Sequence, residues 1–293
     1  MIEQRAAVRR MRTLFISSRP VSWVNTAYPF GVAYLLATGR IDLTAVVGIA
    51  YFLIPYNLAM YGINDVFDYE SDLRNPRKGG IEGAVLGRSM HRTTLAAAAI
   101  TNLPFLIYLF AVGNPLSAAV LVVSVFAVLA YSAPGLRFKE RPFLDSVTSS
   151  THFVSPAVFG LTLAQATWTP QLWCLLGAFF LWGVASHAFG AVQDISADKE
   201  AFISSIATVL GGRATVRLAV FTYLLAGVLM LGTRWPGPLA GILALPYAAN
   251  AGRYWFISEA TAESANGGWK RFLWINFGTG FLVTLLLIWY SLA

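Results

Sequence analysis

Charged residues are rare along this chain and fall in bunches, and the stretches between them are long and apolar. Runs free of Asp, Glu, Lys and Arg cover 20–39, 43–64, 93–136, 146–193, 218–233, 235–252 and 272–293. A membrane helix needs about 20 mostly apolar residues, and two of these runs are about twice that. The first divides at Gly113-Asn114-Pro115 and the second at Thr167-Trp168-Thr169-Pro170, both turn signals. The pattern therefore predicts nine transmembrane helices, near 20–38, 43–64, 93–112, 116–134, 144–165, 171–191, 214–233, 236–257 and 271–292. Strands of a membrane barrel are short and alternate polar with apolar positions. These runs do not alternate, so the expected class is all-α and polytopic.

Composition narrows the picture. Of 293 residues, 57% are hydrophobic and 12% charged, whereas a soluble domain carries about 25% charged residues. That excludes an ordinary soluble enzyme, a disordered chain and a disulfide-stapled domain. The net charge of +7 orients the spans: with the N-terminus inside, only Arg40 and Arg234 of the 21 Lys and Arg fall in outer loops. Arg5, Arg9, Arg10, Arg12 and Arg19 crowd the N-terminus, and Arg74, Arg77, Lys78, Arg88 and Arg92 fill the second loop. The expectation is a plasma-membrane protein, N-terminus cytoplasmic and C-terminus outside. Basic residues scattered among spans make no nucleic-acid surface. Residues 1–38 lack a small-x-small cleavage site and read as an uncleaved first span. The one cysteine, Cys174, excludes a disulfide within the chain, and Gly237-x-x-x-Gly241 is too common a pattern to imply a dimer.

No hydrophilic domain interrupts 1–293, which reads as a single membrane domain. The longest inner loops, about 65–92 and 192–213, form the expected cytoplasmic cap, and Asp65, Asp68, Glu70, Asp72, Asp194, Asp198 and Glu200 in them make half of the 14 acids. Asn64 and Asp194 are 130 positions apart, as are Asp68 and Asp198. That spacing implies two four-helix halves, about 14–140 and 141–257, followed by a ninth helix at about 271–292.

On a helix Asn64, Asp68 and Asp72 share one face, which Asn57 and Tyr61 continue upstream; Asp194 and Asp198 repeat the spacing, with His187 seven positions before Asp194. Carboxylates at the end of a membrane helix are costly unless compensated. Asp and Asn oxygens without a His or Cys cluster favour a hard cation, and Mg2+ is commonly shared with substrate phosphates. Arg77, Lys78, Arg137, Lys139 and Lys199 are placed to hold such phosphates. Asp65, Asp68, Asp72, Asp194 and Asp198 bring about five negative charges and a diphosphate ester about three more. Two Mg2+ return about four positive charges, and Arg77, Lys78, Arg137 and Lys139 roughly close the balance.

At these residues the chain resembles the UbiA superfamily of intramembrane prenyltransferases. Asn64-Asp65-x-x-Asp68-x-x-x-Asp72 is similar to its first aspartate-rich motif, Asp194-x-x-x-Asp198 to its second, and Tyr131-Ser132-Ala133-Pro134-Gly135-Leu136-Arg137-Phe138-Lys139 to the segment after its fourth span. The resemblance implies a nine-helix bundle with a central cavity open sideways to lipid. It implies two Mg2+ held by Asn64, Asp68, Asp72, Asp194 and Asp198, with Arg137, Lys139 and Tyr131 at the diphosphate or leaving group. Asp68, Asp194, Tyr131 and Lys139 then become the expected catalytic residues. Ser18-Arg19-Pro20-Val21-Ser22-Trp23 and Asn75-Pro76-Arg77-Lys78-Gly79-Gly80 are similar to the lycopene elongase branch, whereas quinone branches show Arg-Pro-Leu or Arg-Pro-Ile after the first motif.

The implied reaction moves a dimethylallyl group from its diphosphate to lycopene, a lipid-soluble acceptor, through an allylic cation. Asn57, Tyr61, Phe67, Trp182, His187 and Phe189 are the expected cavity residues, with Tyr131 as a further aromatic face and His187 as a candidate for the final proton. A quinone precursor or chlorophyll-type acceptor is the alternative within the superfamily. A cation transporter is the alternative outside it, but transporter acids lie near mid-membrane and these lie at helix ends beside basic loops.

Overall fold

The computed structural model describes residues 2–73 and 86–292, excepting the side chains of residues 2, 3, 5, 6, 71 and 72. All regular elements among them are helical. They are α1 (Ile2–Ser17), α2 (Val24–Thr38), α3 (Leu43–Leu53), α4 (Pro55–Phe67), α5 (Tyr69–Asp72), α6 (Arg88–Val112), α7 (Pro115–Ser132), α8 (Leu144–Leu163), α9 (Pro170–Val192), α10 (Ile195–Glu200), α11 (Ile206–Leu210), α12 (Gly212–Leu229), α13 (Ala244–Gly252) and α14 (Asn266–Leu292), with short 3-10 turns between some of them. The chain forms two compact units, one of residues 1–137 and 152–166, the other of 138–151 and 167–293.

Polar residues start these helices where the apolar runs begin. Asp42 caps α3 by accepting from Ala45 N–H at 2.9 Å. Asn114 and Ser117 form a capping box at α7, with Pro115 in the first turn, where its missing N–H costs nothing. Thr169 caps α9 by accepting from Leu172 N–H, with Pro170 in the first turn. A residue in the left-handed region, Gly39, closes α2.

Six helices among the described residues are long and apolar enough to cross a membrane: Leu43–Phe67, Arg88–Val112, Pro115–Ser132, Pro170–Val192, Gly212–Gly232 and Glu259–Leu292. The other three expected places are helical but shorter or more polar. α2 has 15 residues. α8 has 20 but holds Asp145, His152 and several Ser and Thr. α13 has 9 and follows a 3-10 turn. α1 lies where the apolar pattern predicts no element.

In the first unit Phe30, Tyr51, Phe52, Tyr56 and Phe159 form a buried aromatic core. The span Leu43–Phe67 breaks at Ile54-Pro55, because proline has no N–H to continue the ladder. Asn57, wholly buried, mends the break: its Nδ2 donates to Phe52 O at 2.7 Å, Leu53 O at 3.1 Å and Thr26 Oγ1 at 2.7 Å. Asn102 of α6 donates to Pro55 O at 2.7 Å. Freed backbone groups in a membrane helix need such partners.

In the second unit Phe189, Tyr223, Tyr247 and Phe272 centre the core, with Trp182 and Trp269 against it. Gly241 belongs to a contact within the chain: a Cβ added there would lie 2.6 Å from Gly227 O, and one on Gly227 would lie 2.8 Å from Gly241 O. The two glycines let backbone meet backbone inside this unit.

Candidate active site

In the first unit α4 ends on the acidic motif. Asp68 is the residue after the helix, its N–H still bonded to Asn64 O at 2.9 Å, so one helical turn separates the two side chains. Asp68 is 7% exposed. Its Oδ1 lies 3.8 Å from Arg137 Nη2. Arg137 reaches it through the turn after α7: Leu136 N–H and Arg137 N–H both bond back to Ala133 O, and Gly135 and Arg137 take positive φ, 86° and 40°. Glycine enters that region at little cost; at Arg137 it is strained.

Asn64 Nδ2 donates to Ser132 Oγ, buried at the end of α7, at 2.9 Å. That bond fixes the amide, and Oδ1 is then the atom it presents to a cation. Ser132 stands within the segment singled out after the fourth span, but nothing in the spacing marks it as a partner of Asn64.

Asp65 departs from the role its place in the motif predicts. It shares a window with the motif acids, but points 100° away from Asn64 around the helix and is fully buried. Its Oδ2 accepts from Ser17 Oγ at 2.8 Å and its Oδ1 from Arg19 Nη2 at 3.1 Å. Arg19 also lies over the Tyr61 ring, 4.3 Å from its centroid. Asp65 therefore leaves the metal-diphosphate charge balance, and Tyr61 is already engaged with a cation. Asp72 ends α5, but its side chain is outside the described set, and Arg77 and Lys78 lie outside the described residues. Tyr131 stands edge-on to His152, ring centroids 5.2 Å apart. Phe67 is half-buried against the core, and Asn57 is committed to the helix break.

In the second unit Gln193 closes α9 and Asp194 opens α10. Asp194 O accepts from Asp198 N–H at 2.8 Å, and Asp198 Oδ2 accepts from Ser205 Oγ at 3.2 Å. Both acids are half-buried. Buried Gln193 accepts from Asn266 Nδ2 at 2.6 Å. Asp145, which no sequence motif marks, is fully buried and accepts from Ser146 N–H at 2.7 Å and Ile206 N–H at 2.8 Å, tying the start of α8 to α11. Ser146 Oγ is 3.0 Å from His187 Nδ1. Lys139 is half-buried in the turn Phe138–Glu140. Lys199 pairs with Glu259 at 2.8 Å on the surface. Trp182 stacks with Phe272, and Phe189, 1% exposed, lies in the core.

Among the described residues no group of three or more His, Cys, Asp and Glu gathers as a metal site. The chemistry of the donor set nevertheless fits Mg2+: amide and carboxylate oxygens, with Asn64 Oδ1 and the Asp68 carboxylate one turn apart.

A family model described as the UbiA prenyltransferase family matches residues 26–278. A lycopene elongase/hydratase of Corynebacterium glutamicum is 57% identical over 281 residues, 96% of this chain and 98% of the relative. A C(50) beta-cyclic carotenoids biosynthesis protein, LbtBC, of Dietzia sp. is 58% identical over 97% of this chain and 66% of its own length. Among solved structures, a UbiA homolog from Archaeoglobus fulgidus bound to DMAPP and Mg2+ superposes with a TM-score of 0.70 at 19% identity, covering 91% of this chain and 98% of that one.

Proposed function

Because the chain belongs to the UbiA prenyltransferase family and is therefore a prenyltransferase, we propose that it transfers a dimethylallyl unit from its diphosphate to lycopene within the membrane. The observation that carries the reading is the end of α4. Cation-binding oxygens, Asn64 Oδ1 and the Asp68 carboxylate, stand beside an anion-binding guanidinium, with Arg137 Nη2 3.8 Å from Asp68 Oδ1. A metal-diphosphate needs both kinds of group at once. The relatives named for lycopene elongation and C50 carotenoid biosynthesis support the acceptor. The homolog bound to DMAPP and Mg2+ supports the donor and the metal.

In this reading Asn64, Asp68, Asp72, Asp194 and Asp198 would be the ligands for two Mg2+. Bound Mg2+ supplies charge neutralisation to the diphosphate. Arg137 and Lys139, with Arg77, Lys78 and Lys199, give charge-assisted hydrogen bonds to its oxygens. Tyr131 is the candidate donor to the leaving oxygen. The C–O bond breaks and the diphosphate leaves with the electron pair. The terminal double bond of lycopene supplies the electrons of the new C–C bond, and the tertiary cation so formed loses a proton, or takes up water and then loses a proton from the added oxygen. Half-buried aromatic faces at Phe67 and Trp182 stabilise the allylic cation, by about 2 kcal/mol when desolvated. His187, with Nδ1 3.0 Å from Ser146 Oγ, is the candidate for the final proton. The proposed setting is the plasma membrane, with nine spans, the N-terminus in the cytoplasm and both acidic ends on that side.

The test is pigment analysis in cells that make lycopene. Expression yields products extended by one or two C5 units, and Asp68→Asn or Asp194→Asn lowers them by about 10²–10³-fold, the range for a lost electrostatic contact in a transition state, while the protein still inserts. Undiminished product from both variants overturns the metal assignment.

A further inference from the structure

The N-terminal helix α1 carries none of the residues assigned above to prenyl transfer, and the inference drawn from it does not rest on that reaction. Its sequence carries Arg5, Arg9, Arg10 and Arg12 against one acid, Glu3. At 100° per residue, Val8, Met11 and Phe15 fall within a narrow stripe, and all three are exposed, by 63%, 63% and 54%. Arg12 and then Arg9, both exposed, follow on one side of that stripe. The opposite face holds half-buried Thr13 and Leu14 and wholly buried Ser17. It is the packed face: Ser17 Oγ reaches Asp65 of α4 at 2.8 Å, and a Cβ on Gly62 of α4 would meet side chains of Thr94 and Ser17. The apolar stripe is thus turned away from the protein. It continues beyond the helix, where Phe15 meets Trp23 edge-on at 5.4 Å and Val21 and Val24 are 63% and 50% exposed.

The level of this stripe is set by its anchor. Asp65 lies in the last turn of the span Leu43–Phe67, so α1 docks where hydrocarbon gives way to headgroups. An apolar stripe with guanidiniums along one edge at that depth is complementary to acyl chains beneath and phosphates beside it. Its positive charge selects lipids with a net negative headgroup. We propose that α1 is an interfacial helix that binds anionic lipid headgroups through Arg9 and Arg12.

The experiment uses the full chain with Val8→Cys in a Cys174→Ala background, carrying an environment-sensitive thiol dye. It is reconstituted in phosphatidylcholine vesicles with and without about 30 mol% phosphatidylglycerol, a fraction that gives a strongly negative surface. The dye emission shifts to the blue with phosphatidylglycerol, and the shift fades at high salt as the charges are screened. Each arginine near such a surface favours association roughly fivefold. Arg9→Gln with Arg12→Gln therefore needs a much higher anionic fraction for the same shift. Equal emission in the two vesicles overturns the proposal. So does a shift that persists at high salt or in the double arginine variant, which would mark an apolar occupant such as a second copy of the chain.

Discussion

The two acid-bearing helix ends are held by different forces. At the end of α4 the residue beside Asn64 is a fully buried carboxylate, Asp65, locked to Arg19 at 3.1 Å and to Ser17 at 2.8 Å, while Arg137 approaches Asp68. At the end of α9 the residue beside Asp194 is a neutral amide, Gln193, held by another amide, Asn266, and the buried carboxylate Asp145 in the same unit accepts from two backbone N–H groups. The residue beside the motif is fixed by an ion pair at the first end and by an amide–amide hydrogen bond at the second. A charge pair out of water is unforgiving when one partner is lost, whereas a neutral bond is worth about 1 kcal/mol. The residue beside the motif is thus expected to be the more sensitive to substitution at the first end.

Substitutions can break that contrast or sharpen it. The largest effect is expected from Arg19→Leu, which strands Asp65 as a buried charge and costs about 3–5 kcal/mol. Thermal unfolding in detergent reads the loss, and Arg19→Leu with Asp65→Leu together recovers most of it. If single and double variants melt alike, Asp65 does not depend on Arg19. Next comes Ser132→Ala. It removes the acceptor of Asn64 Nδ2 from a part-buried bond worth about 1 kcal/mol, and is expected to lower product yield about tenfold with only a small fall in melting temperature. A melting loss without a yield loss would give Ser132 a packing role only. Asn266→Ala removes the neutral clasp on Gln193, with an expected loss of about 1 kcal/mol. A loss as large as that of Arg19→Leu would erase the distinction between the two ends.

The smallest effect is expected at the other end of the Leu43–Phe67 span, at Asp42. The Ala45 N–H that it caps, and after it the Tyr34 hydroxyl, hold its carboxyl below the ordinary carboxylate value. A lowered folded-state value means that the cap's contribution is present above the unfolded value, 3.8, and is lost as pH falls through the folded one. Asp42→Asn is therefore expected to flatten a slight fall in melting temperature below pH 4. An unchanged acid limb in that variant would assign the fall to other carboxylates.

Much of the helical layout is legible in the sequence, because long apolar runs have few ways to satisfy their backbone in lipid. Turn residues divide the runs in the right places: Asn114-Pro115 and Thr169-Pro170 open α7 and α9. α1 is hidden because its arginines break the apolar run that marks a span, and its stripe is visible only at helical period. Asn64 and Asp68 are legible as a pair from their spacing. Asp65 is not, because counting charge in a window ignores the face to which each carboxylate turns. Ser132 and Asp145 are silent, since a partner 68 or 61 residues distant leaves no trace in local spacing.

The interruption at Ile54-Pro55 separates two mechanical roles within one membrane crossing. With the ladder cut by proline and the cut bridged by Asn57 and Asn102, α3 and α4 are two rods joined at an elbow. A thicker or thinner bilayer asks helices to tilt, and the elbow is where such a tilt in α3 is taken up before it reaches Asn64 and Asp68. The aim of Asn64 and Asp68 is thus set by a joint about three turns away from them, a place where the geometry of the site can be retuned while those two residues stay as they are.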